Sequence, residues 1–158
     1  MGTKHKLIKA PSFRGLSAAS VSSARAKQAN AYSNTRHEVM LRSALWRMGL
    51  RFRKNVRSLP GKPDIVFPRA HVVVFCAGDF WHGRNWQSRR KKLQQGANAS
   101  YWVAKIASNI KRDRKNNRLL EKSGWHVIRV WETDILKDPI PVARLVQQVV
   151  QMYQGGTQ

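Results

Sequence analysis

The chain has 158 residues, enough for one domain with an adequate core, and carries 30 Lys and Arg against 8 Asp and Glu, a formal net charge of +22. So strong a positive balance calls for a polyanionic partner, and nucleic acid fits it best. No apolar run reaches the ~20 residues of a membrane-spanning helix; the single Cys76 excludes an intrachain disulfide and a cysteine-rich zinc cluster, and nothing near Met1 reads as a secretory signal, so a cytoplasmic, nucleoid-associated protein is expected.

Between Met1 and Asn34 there is no acid, and six Lys or Arg are scattered among Ser and Ala. Little apolar periodicity is left to fold around, so residues 1–34 are expected to form a basic arm that orders on meeting a partner, with a helix near Ala18–Ala31. A mitochondrial transit peptide has the same composition. The domain, 35–158, opens at "TRHEVMLRSALWRMG". Thr35 and Glu38 have capping-box spacing, and Val39, Leu41, Leu45, Trp46 and Met48 recur near the helical period until Gly49 stops it. Next come a short strand in "LRFRKNV", the turn "SLPGKP", and the strands "DIVF" and "HVVVFC", paired antiparallel across a turn at Pro68–Ala70. "GRNWQSRRKKLQQGANAS" reads as a basic loop or exposed helix. A long helix follows from about Tyr101 to Lys122, then the strand "WHVIRVWE" and a closing helix from Pro141 to Tyr153.

With only eight carboxylates (Glu38, Asp64, Asp79, Asp113, Glu121, Glu132, Asp134 and Asp138), the place of each is informative. Asp64 starts a strand directly after Pro63, and Asp79 ends the neighbouring one. Phosphodiester hydrolysis needs carboxylates that hold Mg²⁺ beside a phosphate, and paired strand ends would hold them rigidly. The competing reading of Asp64 is a turn acid; for Glu38 it is the cap itself. His82 follows the strand, where an imidazole with a pKa of about 6.5 suits general acid or base work, or else packs against a carbonyl. Phe80 and Trp81 are adjacent, so at least one ring must leave the strand's buried face, either to wedge between base pairs or to pack beneath the loop. The runs Arg89, Arg90, Lys91, Lys92 and Lys111–Lys115 suit phosphates. Lys62, Arg84, Asn109 and Arg112 complete the expected DNA contacts.

The motifs "LPGKPDIVF", "FWHG", "KIASNIKRDRKN" and "GWHVIRVWE", in that order and spacing, resemble the very-short-patch-repair (Vsr) endonucleases and their relatives from Thr35 to Leu136. The resemblance implies an α/β fold with a restriction-endonuclease-like core, a central mixed β-sheet flanked by helices. It implies cleavage of double-stranded DNA, by a nick or a double-strand cut, in repair, homing or restriction, with Mg²⁺ as cofactor and Mn²⁺ as a substitute. Asp64 becomes the principal metal ligand and the backbone carbonyl of Cys76 a second. His82 becomes catalytic, Glu38 supports the site, and Phe80 and Trp81 intercalate.

Three departures qualify that implication. Zinc-bearing members have cysteines and extra histidines around the "FWH" motif; here Asp79, Arg84, Trp86 and Thr133 stand in that neighbourhood, so no zinc is expected. The arm of mismatch nickases inserts a Met, whereas counting back from Glu38 reaches Lys27. Ala77 stands where relatives carry Asp or His, and a methyl neither ligates metal nor orients water. The expectation is a Mg²⁺-dependent DNA endonuclease, inactivated or weakened at Ala77. The alternative is a catalytically silent DNA-binding module of the same fold; a basic RNA-binding protein would explain the charge but not the motifs.

Overall fold

The computed structural model describes residues 34–155. The expected arm, apart from Asn34, and its helix near Ala18–Ala31 lie outside the described residues. The runs "IVF" and "VVVFCA" are rich in β-branched and aromatic residues, fit a pleated surface, and form β2 (Ile65–Phe67) and β3 (Val72–Ala77), buried throughout. They pair antiparallel, Ile65 opposite Val74 and Phe67 opposite Val72. β1 (Arg53–Lys54) is a two-residue edge strand beside β2, and its exposed charges discourage further pairing at that edge. β4 (His126–Trp131) runs parallel to β3, with Val72 beside His126 and Ala77 beside Trp131. A parallel neighbour needs a crossover, supplied by α2 (Trp86–Gln94) and α3 (Ala99–Lys122). The sheet order is β1-β2-β3-β4, mixed as expected.

Alternation along the strands feeds two cores. Ile65, Phe67, Val72, Val74 and Cys76 pack with Leu41 and Leu45 of α1 (Arg36–Arg47), Ile135 of α4 (Glu132–Lys137), and Val146 and Val150 of α5 (Pro139–Gln154). Val66, Val73 and Phe75 face Leu120 of α3. Each fully buried Val or Ile is worth about 1.5–3 kcal/mol of apolar burial.

Two local expectations differ from the structure. Val39 and Trp46 are 48% and 55% exposed, because α1 turns the polar pair His37 and Glu38 inward with Leu41, Ala44 and Leu45. No capping box forms: the Thr35 hydroxyl donates to Glu38 Oε1 (2.9 Å), and Glu38 Oε2 accepts from the Asn34 backbone N–H (2.9 Å). The last strand also ends one residue early, at Trp131, and turns directly into the short α4 that periodicity did not signal. Among the described residues no helix is long and apolar enough to cross a membrane.

Candidate active site

Asp64 lies between Pro63 and β2, on the far side of a tight turn. Lys62 donates its N–H to the Leu59 carbonyl (3.1 Å), and Gly61 (φ +76) sits where a Cβ would come within 3.2 Å of Phe75 and Asn116. The Asp64 N–H donates to the Val74 carbonyl (3.1 Å), and its Oδ2 accepts from the Cys76 N–H (2.7 Å). In an extended strand the N–H and C=O of one residue project to the same side, so the Cys76 carbonyl faces the Asp64 side as well. Burial pushes the Asp64 carboxyl up to about 6, and neighbouring Glu38 adds to it; the Cys76 N–H, His37 and Arg42 pull the other way.

Glu38 is buried and receives Asn34, Thr35 and Arg42. His37 beside it approaches Thr35 through Nε2 and Glu132 through Nδ1, the latter at 3.6 Å. Two carboxylates share this corner with Arg42 and His37, and a carboxylate with a main-chain carbonyl is the hard oxygen set that suits Mg²⁺. Among the described residues no three His, Cys, Asp or Glu gather as a side-chain metal cluster, so an ion here would keep much of its water. Mg²⁺ does that by preference.

Asp79 does not belong to this corner, contrary to the pairing of strand ends read from the sequence. β3 stops at Ala77, and the chain turns so that the Asp79 carboxylate accepts from the Thr133 backbone N–H and hydroxyl and lies 3.7 Å from Arg84. Ala77 is 1% exposed, beside Trp131.

The loop after β3 carries Phe80, Trp81 and His82 in succession. His82 Nδ1 is 2.6 Å from Asp113 Oδ2, and the Arg129 guanidinium is 3.6 Å from the same oxygen. Asn109 donates to the Trp81 carbonyl (3.0 Å). Gly83 is required twice over: its φ is +69, and a Cβ there would collide with Ile110. Phe80, Trp81 and Trp102 form a partly exposed triangle, with ring centroids 5.1, 5.5 and 5.9 Å apart. Arg84 donates three times to Asp134 (2.9–3.1 Å).

Arg90, Lys91, Lys92, Arg112 and Lys62 are exposed, and α2 buries no residue. Arg89 is half-buried, its guanidinium 5.6 Å from the Phe80 ring. Asn109, expected at the DNA, is instead buried with its amide spent on the loop. Asp113 and Trp102 escaped the sequence reading as members of the site. Trp102, Ile106, Asn109 and Asp113 lie on one stripe of α3, and an acid inside "KRDRK" was the available signal.

A family model described as DNA mismatch endonuclease Vsr matches residues 21–88. A type II nicking enzyme of Neisseria meningitidis serogroup C is 41% identical over 128 residues, covering 81% of this chain and 85% of the relative. Another, from Haemophilus parainfluenzae, is 37% identical over 124 residues, 78% and 86% of the two chains. The DNA mismatch endonuclease Vsr of Escherichia coli K12 is 36% identical over 105 residues, 66% and 65% of the two.

Proposed function

The chain belongs to the Vsr family of DNA mismatch endonucleases, and from that premise we propose that it is a magnesium-dependent enzyme that nicks double-stranded DNA at a distorted base step. As a DNA endonuclease it hydrolyses a phosphodiester, on a restriction-endonuclease-like α/β core. Asp64 and the Cys76 carbonyl would hold the ion, with Glu38 behind them. When bound, magnesium neutralises phosphate charge and makes the attacking water more acidic.

His82 takes the water's proton at Nε2, because Asp113 occupies Nδ1 and fixes the tautomer. The water oxygen bonds to phosphorus as the P–O3′ bond breaks, leaving a 5′-phosphate and a 3′ oxygen that gains a proton from solvent. Phe80 and Trp81, backed by Trp102, enter the base stack, and Lys62, Arg112 and Arg89–Lys92 grip phosphates. The observation that supports this reading is the succession Phe80-Trp81-His82 on a loop tied to α3 directly after the strand end that presents Cys76 beside Asp64.

The test is nicking of supercoiled plasmid and of mismatched and matched duplexes, with Mg²⁺ or EDTA. Asp64→Asn should abolish cleavage and leave DNA affinity within a few-fold; a variant that cuts at the parent rate would remove Asp64 from the chemistry. The buried methyl of Ala77 favours a second reading, a weakened or silent site. Ala77→Asp discriminates, since a large gain in rate marks a weakened nuclease, and no cleavage by either chain marks a DNA-binding module.

A further inference from the structure

The loop from Gly78 to Asn85 is fastened on two sides. Towards α3 it is held by Asn109 on the Trp81 carbonyl and Asp113 on His82. Towards α4 the fastening is polar: the Thr133 backbone N–H and hydroxyl donate to Asp79, and Arg84 grips Asp134 with both terminal nitrogens while lying 3.7 Å from Asp79. Within the loop the Arg84 N–H returns to the Asp79 carbonyl (3.1 Å). Asp79 and Arg84 thus bracket Phe80, Trp81 and His82, and both reach the first turn of α4.

We infer that Arg84, Asp134 and Asp79 form an ion-pair clamp that sets the angle at which the Phe80–Trp81 edge meets DNA, and that Arg84 is a positioning residue. This rests on the wedge reading given above. Two arguments separate the clamp from a phosphate contact. The guanidinium fork already faces two carboxylates, and a bidentate fork is geometrically committed. Those carboxylates would repel a phosphate approaching Arg84, although the surrounding chain is strongly basic. A flexible loop would enter the stack in many orientations, whereas one pinned at both ends meets the duplex in one, with the ordering cost already met in folding.

The experiment is a double-mutant cycle of Arg84→Ala, Asp134→Asn and both together, with Arg84→Lys as the conservative variant. Four quantities are read: kcat and KM for nicking, brightening of a 2-aminopurine at the target step, and hydrogen exchange of the 78–85 amides in the free protein. Each single variant should lower kcat roughly tenfold or more with KM nearly unchanged, dim the probe, and speed exchange roughly tenfold, while the double variant does no worse than either. Lys, a point charge that cannot span both carboxylates, should restore only part. If Arg84→Ala instead raises KM and lowers the salt slope by about one contact while Asp134→Asn does neither, Arg84 grips DNA and the clamp is wrong. Should the parent chain itself fail to brighten the probe, the wedge reading falls. Exchange in the free protein then still decides the clamp: unchanged rates in both single variants overturn it. Asp134→Asn preserves shape at a half-exposed position, so a fold lost only in Arg84→Ala leaves the second arm standing.

Discussion

Replacing Asp64 with Asn should do two opposite things: stop nicking, and make the metal-free protein more stable at neutral pH. Lifting the carboxyl from its ordinary 3.8 to about 6 means that ionising it in the fold costs about 3 kcal/mol more than in the unfolded chain. Because the folded value is the higher one, the native state holds more protons between about pH 4 and pH 6. The penalty is therefore complete above pH 6 and fades as pH falls towards 4. Asparagine carries no charge and still offers a carbonyl to the Cys76 N–H, so at pH 7.5 the variant should gain up to about 3 kcal/mol, or on the order of 10 °C in melting temperature. A weaker bond from the neutral acceptor subtracts from that bound. Denaturant melts of both proteins in EDTA, from pH 4.5 to 8, measure the gap. It should shrink with acidity, and Mg²⁺ should narrow it at neutral pH by stabilising only the parent. A variant less stable than the parent at pH 7.5, or a gap independent of pH, would refute the argument.

Asp113→Asn should lower kcat by about 10²–10⁴ while leaving the Mg²⁺ dependence unchanged, because the amide no longer holds His82 in the tautomer with Nε2 free; single-turnover rates across Mg²⁺ concentrations check this. Binding of a duplex should weaken linearly in log salt, at a slope of about −0.9 per phosphate contact, as fluorescence anisotropy would show. Gly83→Ala should destabilise the fold by more than the ~1 kcal/mol usual for such a change, since both its φ and Ile110 oppose a methyl; a melt within error of the parent would contradict it.

The sheet was readable because its strands are short apolar runs closed by turn residues, and Asp64 stood out because acids are few. What the sequence concealed was which polar groups point at one another. Asp79 and Asp64 are equally plausible strand-end acids on paper; only the turn after Ala77 sends one to Thr133 and Arg84 and leaves the other beside Cys76. Asn109 sits in a basic, polar helix and reads as a DNA contact, yet burial commits its amide to a main-chain carbonyl. Glu38 was placed by its spacing to Thr35, but the partner atoms differ, because helix α1 rolls its polar end towards the sheet.

Cys76 divides its labour between backbone and side chain. Its N–H secures Asp64, while the thiol packs among Ile65, Val74 and Val130, where burial raises its pKa and suppresses its reactivity. A position whose contribution to the site comes from the main chain is insulated from mutational drift in its side chain: Val, Ala or Cys would hold the strand on the same path. Cys76→Val should therefore keep the fold and the Asp64 contact, and the cysteine-free chain would give a silent background against which a single reporter thiol on the Gly78–Asn85 loop could be labelled.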